Sequence, residues 1–347
     1  MARCAIVSFR LGLSDGVSVV AASWARAIAR FGFDVVTVAG EGPVDRCLPA
    51  LAMQPACAPV EAEVEADVDA ALADADLVVV ENLCTIPLNL PAARAVAKTL
   101  RGRPAVLHHH DPPWQRPHFA DVTELPPTDP AWRHVTINDL TRREFATRGI
   151  DATVIYNGFD PDPPPGDRDK TRELLEVGAN ERLLVHPVRA IPRKNVPAAL
   201  RLAERIGATY WLVGPAEFGY DDELETLLQD ARCRVIHRPA PGTMSDVYAA
   251  ADAVAFPSTW EGFGNPPIEA ALHRRPAAVG RYPVADELRA FGFEWFDPED
   301  AAGLGRFLDA PDDELLERNR AIAVEHFSFD RMAGDLHALL DDAGWLP

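Results

Sequence analysis

The stretch Glu261-Gly-Phe-Gly-Asn-Pro-Pro-Ile-Glu269 (EGFGNPPIE) places two carboxylates eight residues apart, with two glycines and two prolines between them. The apolar run Ala253–Phe256 upstream is typical of a buried strand, and a proline-containing break follows it. Asn265 is a favourable helix N-cap, and the two prolines suit a first helical turn, whose N–H groups have no helical partner. The stretch therefore predicts a strand, a loop that carries Glu261, and a helix that carries Glu269 near its start.

The chemistry of this loop points to a ligand with phosphate and hydroxyl groups. Its glycines let the backbone approach a ligand closely, because they have no Cβ atom. A helix N-terminus can receive an anion, and carboxylates accept hydrogen bonds from hydroxyl groups. Phosphate and polyol together suggest a nucleotide sugar. Either glutamate alone could equally be a helix surface residue favoured by the helix dipole, so the interpretation depends on matching parts elsewhere in the chain.

Length and composition favour two soluble globular domains. The chain has 347 residues, 48% of them hydrophobic and 25% charged, which exceeds the usual size of a single core. Its net charge of −19 argues against nucleic-acid binding. Five cysteines without C-x-x-C spacing, no long apolar run and no signal-peptide pattern predict a cytoplasmic protein. Peripheral contact with the inner face of a membrane stays open for the less acidic first half.

Strand-like runs alternate with helical patterns along the whole chain, which predicts the α/β class with parallel sheets. The predicted strands are 4–9, 34–38, 77–80, 105–107, 134–137 and 153–155 in the first half, and 183–187, 209–213, 234–236, 253–256, 277–279 and 294–296 in the second. The proline-rich segment 159–166 reads as a stiff linker. We therefore predict a Rossmann-like domain at 1–158, a second at 159–325, and a C-terminal helix within 326–347 that packs back on the first.

A basic cluster follows the first strand of the second half. Arg189 and Lys194 come after the run 183–187, so they belong at the carboxyl edge of the predicted sheet, where ligands usually bind. A guanidinium fork and a compact ammonium group both suit a diphosphate. Solvated loop charges are the alternative interpretation.

The first half carries weaker signals. Gly16 lies in a turn before the first helix, but neither a G-x-G-x-x-G motif nor a Walker lysine is present. Three consecutive histidines, His108–His110, suggest a metal, yet neighbouring residues of a strand point to opposite sides and make a poor chelate. We predict instead that His110, followed by Asp111 and a proline, serves polar recognition or catalysis, and that no metal is bound.

In their order along the chain, these pieces resemble the GT-B retaining glycosyltransferases of the family 4 type (glycosyl transferases group 1). The resemblance covers nearly the full length, and each piece is weak alone. It rests on the stretches 15–18 (DGVS), 110–112 (HDP), 154–160 (VIYNGFD), 189–195 (RAIPRKN), 211–214 (WLVG), 246–252 (DVYAAAD) and the pair Glu261 and Glu269.

The resemblance implies a GT-B fold, in which two Rossmann-like domains with parallel sheets face a central cleft. It implies transfer of a hexose from a UDP- or GDP-linked donor to a hydroxyl acceptor, with retention of configuration and without a metal or other cofactor. The acceptor stays open among glycans, lipids and small molecules. The site residues that it implies are, for catalysis, His110, Arg189, Lys194 and Glu261, and, for donor binding, Gly16, Phe263, Gly264, Asn265 and Glu269.

The resemblance also implies a role for each of these residues. Arg189 and Lys194 hold the donor diphosphate, Glu269 the ribose and Glu261 the donor sugar. Backbone N–H groups at 263–265 hold sugar and phosphate. From the first domain, Gly16 faces the diphosphate, and His110 lies beside the reacting sugar.

Two regions depart from the family pattern. Arg274 and Arg275, and then the segment 280–283 with Tyr282, stand where a Gly-Pro pair and a Gly-Gly turn are common, so the outer sugar contacts are open and the arginines could face an anion. Asp15 and Trp114 are candidates for an acceptor site. Two further functions remain as alternatives: a nucleotide-sugar epimerase of the same fold, and a nucleotide-sugar-binding partner subunit with weak turnover.

Overall fold

The computed structural model describes residues 2–13, 15–57, 60–119, 121–217 and 219–347. The chain divides into two compact units, Met1–Gly158 with Phe329–Pro347, and Phe159–Ser328. The predicted C-terminal segment of the first domain began at residue 326. Residues 326–328 lie in the second unit instead, because the helix Asp313–Phe327 contains the first two and Ser328 forms a β-bridge with Phe159.

The first unit is built on a seven-stranded parallel sheet in the order β3-β2-β1-β4-β5-β6-β7. The strands are β1 (Arg3–Arg10), β2 (Asp34–Glu41), β3 (Arg46–Cys47), β4 (Leu77–Glu81), β5 (Ala105–His109), β6 (Trp132–Thr136) and β7 (Thr153–Val154). The helices are α1 (Gly16–Arg30), α2 (Glu61–Leu72), α3 (Leu90–Thr99), α4 (Asp139–Ala146) and, from the C-terminal segment, α13 (Phe329–Asp342). Because the strand order reverses between β1 and β4, a binding crevice is expected beyond the carboxyl ends of these strands.

Helices cover both faces of this sheet, which is why its central strands read as continuous apolar runs. On one face, Trp24 and Ile28 of α1 pack with Met332 and Leu336 of α13 in a fully buried cluster. On the other face, α2 and α3 cover a second cluster. Burial of each such aliphatic side chain contributes about 1.5–3 kcal/mol, so α13 is a structural part of the first unit.

The second unit holds a five-stranded parallel sheet in the order β10-β9-β8-β11-β12. Its strands are β8 (Leu183–His186), β9 (Thr209–Leu212), β10 (Val235–His237), β11 (Ala253–Phe256) and β12 (Ala277–Val279). Its helices are α5 (Arg168–Leu174), α6 (Val196–Ile206), α7 (Asp221–Asp230), α8 (Met244–Ala250), α9 (Asn265–Leu272), α10 (Pro283–Arg289), α11 (Ala301–Asp309) and α12 (Asp313–Phe327). Here the strand order reverses between β8 and β11.

One strand prediction was wrong, and one strand was missed. The segment 294–296 is not a strand but forms a single bridge, between Phe296 and Ala278. The short strand β3 (Arg46–Cys47) was not predicted, since two residues carry no periodicity. Among the helices of the described residues, none has the length and apolar character that a membrane crossing requires.

Candidate functional site

The two loops beyond β8 and β11 lie side by side, because these strands are neighbours at the point where the strand order reverses. The β8–α6 loop (187–195) and the β11–α9 loop (257–264) are joined by hydrogen bonds. The backbone N–H of Thr259 donates to the carbonyl of Arg193 at 2.9 Å, and the side-chain amide of Asn195 donates to the carbonyl of Pro257 at 3.2 Å. The topology therefore brings the predicted basic cluster against the start of EGFGNPPIE.

Glu261 is the centre of this junction. Its side chain is 8% exposed, and it accepts hydrogen bonds from the Lys194 ammonium at 2.6 Å and from the Arg193 guanidinium. Burial alone would raise the pKa of Glu261, but the charges of Lys194 and Arg193 outweigh burial and lower it to about 2. Burial lowers the pKa of Lys194 to about 8. Two of the predicted catalytic residues thus form a buried ion pair.

Arg193 was not predicted as a site residue. It also donates to the backbone carbonyl of Trp260 at 2.9 Å, which fixes the loop on the N-terminal side of Glu261. The ring of Phe256 lies 4.9 Å below the Lys194 ammonium. The signal for Arg193 was present in the Arg-Lys pair of the basic cluster, but only the pairing of the two loops identifies which carboxylate it contacts.

Arg189 engages a different carboxylate. Its guanidinium donates to Glu217 at 2.6 Å, and both side chains are about one-third exposed. Backbone hydrogen bonds join this loop to the β9–α7 loop, including the one from Gly214 N–H to the Val188 carbonyl at 3.0 Å. A Cβ atom on Gly214 would lie 2.4 Å from that carbonyl oxygen, so the close approach requires glycine. Glu217 is therefore a neighbour of the predicted diphosphate site that the sequence did not reveal.

The start of α9 differs from the prediction. The helix begins at Asn265, so Asn265 is its first residue and Gly264 is its N-cap. Gly264 has a φ of +110°, a backbone conformation that favours glycine, and a Cβ there would lie 2.8 Å from the Tyr282 hydroxyl. Because the N-cap has no side chain, α9 begins without the side-chain cap that Asn265 was predicted to give.

Glu269 lies in the second turn of α9, and its Oε2 accepts a hydrogen bond of 2.5 Å from the hydroxyl of Tyr248 on α8. Burial raises the pKa of Glu269. Phe263 is buried, with its ring stacked on Phe159 and edge-on to Phe327. Its side chain therefore belongs to the core of the second unit, which leaves the backbone for the ligand role that the resemblance implies.

In the first unit, His110 belongs to a buried cluster with Glu81 and His108. Glu81 and His108 are partners in the register of β4 and β5, so their side chains share a face of the sheet. Oε2 of Glu81 lies 3.0 Å from Nδ1 of His108 and 2.9 Å from Nε2 of His110. The His108 ring stacks on Trp24 at 4.0 Å. Burial opposes ionisation of Glu81, but the two imidazoles outweigh it and lower the pKa of this carboxyl to about 2.

The histidine run is only partly as predicted. Alternation does place His109 on the opposite face, where it contacts Thr85 at 2.6 Å and His134 at 2.9 Å. His108 and His110, however, share a face, and with Glu81 they bring three potential ligand atoms within 4.8 Å of one another. The three consecutive histidines thus do not form one chelate, as predicted, but two of them together with Glu81 could, and the absence of a metal stays a prediction. Glu81 was missed, although a polar residue that ends an apolar strand was its signal.

The turn before α1 has a structural explanation. Asp15 is the N-cap of α1: it accepts hydrogen bonds from the backbone N–H of Ser18 at 3.3 Å and from the Ser18 hydroxyl at 2.8 Å, and it pairs with Arg10. Gly16 is the first residue of the helix, and no atom lies within 4 Å of where its Cβ would be. The side chain of Asp15 thus serves the cap, while Gly16 leaves open space beside the helix start.

The other acceptor and anion candidates pair within their own units. Trp114 donates to Glu144 of α4 at 2.8 Å, and its ring lies under Arg148. Arg275 donates to backbone carbonyls at the end of α8, and Arg274 pairs with Glu317. These arginines therefore bind protein groups, and the suggestion that they face an anionic ligand is not supported by their contacts.

Comparison with known proteins agrees with this architecture. The model of the family described as Glycosyl transferases group 1 matches residues 184–304, which contain the β8–α6 loop and the Glu261–Glu269 pair. The mannosylglucosylglycerate synthase of Petrotoga mobilis is 26% identical over 64% of this chain and 63% of its own length, so the chain spans slightly less than two thirds of that relative. The synthase of the same name from Thermotoga maritima is 24% identical over 94% of this chain and 91% of its own length.

A solved structure extends the likeness to the whole fold. Anabaena HepE, crystallised with UDP and glucose, superposes with a TM-score of 0.75 at 20% identity and covers 99% of this chain and 100% of its own. The expected GT-B fold, with two Rossmann-like domains and parallel sheets, is thereby confirmed, as is the resemblance to the glycosyl transferases group 1.

Proposed function

We propose that this chain, a group 1 glycosyltransferase by its sequence relatives and GT-B by its fold, transfers a hexose from a nucleoside diphosphate sugar to a hydroxyl acceptor. The donor is UDP- or GDP-linked, the configuration at the anomeric carbon is retained, and no metal takes part. The second unit binds the donor.

The observation that carries this proposal is the buried Glu261 carboxylate between Lys194 and Arg193 at the start of α9. Removing three charged groups from water is costly, and a buried ion pair is weak evidence for stability. Strongly shifted pKa values in such a place are typical of functional sites. Here the pKa of Lys194 is lowered to about 8 by burial, while that of Glu261 is lowered to about 2.

The chemistry follows from the charge that develops as the donor breaks. Departure of a nucleoside diphosphate builds negative charge on phosphate oxygens and positive character on the anomeric carbon. Arg189, Lys194 and the N-terminus of α9 would stabilise the leaving group, which is the part that a divalent cation plays in other transferases. By analogy with a lost oxyanion donor, removal of either cation would cost about 3–4 kcal/mol of transition-state stabilisation.

Known relatives support the substrate classes. HepE holds UDP and glucose in one crystal structure and UDP-glucose in another, which favours a uridine diphosphate sugar as the first donor to try. The name mannosylglucosylglycerate synthase describes a product in which sugars are joined to glycerate. A hydroxyl of a small glycoside is therefore the first acceptor class to test, ahead of lipids and larger glycans.

The donor site is tested first by thermal unfolding. Purified protein is mixed with UDP-, GDP-, ADP- and dTDP-sugars in EDTA, and Arg189→Ala is compared with the wild type. Arg182→Ala is the matched control, because Arg182 directly precedes β8, at the opposite, amino end of the strand from Arg189, and pairs with Asp309. A shift that survives EDTA, disappears in Arg189→Ala and persists in Arg182→Ala supports the site. If the shift in unfolding temperature is as large in Arg189→Ala as in the wild type with every donor, the proposed donor site is rejected.

The reaction itself is tested by product analysis with the donor that binds. Transfer to an added hydroxyl acceptor supports the transferase. Reversible conversion of the donor to its epimer, without acceptor, would identify the epimerase. Tight binding of the donor with neither reaction would leave the third hypothesis, a nucleotide-sugar-binding partner subunit.

A further inference from the structure

Glu81 is a buried carboxylate whose partners are imidazoles. Its side chain and that of His108 have no exposed surface, and His110 keeps 6%. In the part of the chain that the structure describes, no lysine or arginine pairs with Glu81, whereas Glu261 has two cations. The two histidines must therefore satisfy this carboxylate through hydrogen bonds, since an unsatisfied buried carboxylate is very costly.

These contacts determine which nitrogens carry protons. An ionised carboxylate only accepts, so Nδ1 of His108 and Nε2 of His110 must both donate to it. Nε2 of His108 is buried without a partner. A buried lone pair on this nitrogen costs less free energy than a buried N–H without an acceptor, which agrees with a proton on Nδ1. A metal bound at Nδ1 of His108 would instead put the proton on Nε2, and this Nε2–H would be buried without an acceptor. The geometry therefore favours hydrogen bonds over a metal centre.

The residue after Glu81 fixes the backbone of the same segment. Asn82 has a φ of +59°, which is uncommon for a residue other than glycine and marks a strained position. Its side-chain oxygen accepts hydrogen bonds from the backbone N–H groups of both His110 and Asp111, each at 3.1 Å. The end of β4 therefore holds the His110 ring through Glu81 and the His110 backbone through Asn82.

We propose that Glu81 is a positioning residue for His110: it binds Nε2–H, so that the ring presents the lone pair of Nδ1 to a substrate hydroxyl. The role of His110 beside the transferred sugar rests on the proposed function. The orientation and tautomer of the ring do not. In the absence of Glu81 the ring would be free to exchange tautomers, and only part of the enzyme would then hold the acceptor nitrogen in place.

The tautomer is measured directly, without any activity. In protein labelled with ¹⁵N-histidine, the two ring nitrogens have distinct chemical shifts, and His110→Gln identifies the His110 signals among those of the ten histidines. We expect the Nε2–H tautomer in the wild type. The Nδ1–H tautomer at His110 would overturn the proposal.

Kinetics then test the link to catalysis. Glutamine at position 81 loses the negative charge and has an NH₂ group, which cannot accept, in place of one of the two oxygens near Nδ1 of His108. Glu81→Gln should therefore lower kcat about 10- to 100-fold, by analogy with the loss of an orienting partner at a metal-bound histidine, with little change in the donor KM. Because Glu81 acts through His110, Glu81→Gln/His110→Ala should be no slower than His110→Ala alone. Thr85→Val is the matched control. It removes the 2.6 Å contact to His109, the residue before His110 at the end of β5, and leaves Glu81 intact.

The outcomes distinguish failure of the positioning role of Glu81 from failure of the proposed function. If the wild type transfers sugar, and Glu81→Gln is as fast, folds equally well and leaves the His110 signals unchanged, the positioning role is wrong. If the wild type transfers no sugar from any donor, the proposed function fails, and the wild-type tautomer still decides the orientation. Stoichiometric zinc in the purified wild type that Glu81→Gln lacks would overturn the proposal in favour of a metal centre.

Discussion

The ammonium of Lys194 lies 2.6 Å from Oε1 of Glu261, although the two residues are 67 positions apart on different loops. Both side chains are nearly buried, and Arg193 shares the same carboxylate. The pair holds the β8–α6 loop against the β11–α9 loop. A lysine that is to receive a diphosphate is thus kept in place by the glutamate that is expected to contact the donor sugar.

Loss of Lys194 should reduce both stability and turnover. In Lys194→Met, Glu261 keeps one cation of two, and breaking a buried ion pair typically costs about 3–5 kcal/mol of unfolding free energy. Turnover should fall about 100- to 1,000-fold, as after the loss of one donor to a developing oxyanion. Urea unfolding and kcat measure the two effects. Lys194→Met/Glu261→Gln should recover stability but not turnover; a double variant less stable than the single one would contradict the pairing.

The pH dependence of kcat/KM should report Lys194. Burial lowers the pKa of this ammonium from 10.5 to about 8, so kcat/KM should decline above about pH 8 as the free enzyme loses this charge. The fold responds in the opposite direction: the unfolded chain binds more protons between pH 8 and 10.5, so this group makes stability rise with pH across that window. Lys194→Arg keeps its charge, and its profile should stay flat to higher pH. An unchanged decline in that variant would assign the titration to another group.

The sequence predicted the strand–loop–helix around Glu261 because each part has a local signal: an apolar run, glycines, and prolines before a helix. It could not predict that Asn265 would yield the N-cap to Gly264, because both residue types are favourable N-caps and the local sequence does not choose between them. The same holds for Arg193: it contacts Glu261 because β8 pairs with β11, and the sequence does not show that pairing.

The buried histidine cluster was harder to foresee for a related reason. Alternation along β5 separates His109 from its neighbours, and that much is local. The carboxylate that joins His108 and His110 comes from β4, and only the register of Glu81 with His108 makes the contact. Contacts between residues of different strands have no characteristic spacing in the sequence, so a sequence pattern does not predict them.

Glu217 should compete with the donor for Arg189. The two side chains are 2.6 Å apart but about one-third exposed, and exposed pairs contribute only about 0–1 kcal/mol. Glu217→Gln should therefore lower the donor Kd no more than about fivefold, with kcat nearly unchanged. Isothermal titration with the nucleoside diphosphate gives the comparison, and Glu299→Gln serves as the control because Glu299 pairs with Arg201 and Arg205 away from this loop. Weaker binding in Glu217→Gln would show that Glu217 orients Arg189 instead.

A side chain at Gly264 should disturb the start of α9. Its φ is +110°, and an added Cβ would lie 2.8 Å from the Tyr282 hydroxyl. Gly264→Ala should therefore cost about 1–3 kcal/mol of stability and weaken donor binding, because the strained backbone must move. Gly305→Ala is the control: Gly305 lies inside α11 with open space around it, so alanine there should be neutral or stabilising. Equal stability of the two variants would contradict the positive-φ cap.

Acid should destabilise the second unit through His186. This histidine is buried on β8 beside Tyr210, and burial, assisted by the Lys194 charge, lowers its pKa from 6.5 to about 3. Between those values the unfolded chain binds a proton that the folded chain does not, so stability should fall by about 1.4 kcal/mol per pH unit as the pH drops below 6.5. His186→Gln removes this titrating group and should reduce the slope of urea-unfolding stability between pH 6.5 and 4 by up to about 1.4 kcal/mol per pH unit. His134 and His273, whose pKa values burial lowers to about 4, keep the remaining slope. His237→Gln, at an exposed position of β10, should keep the wild-type slope. A wild-type slope in His186→Gln as well would place the acid sensitivity elsewhere.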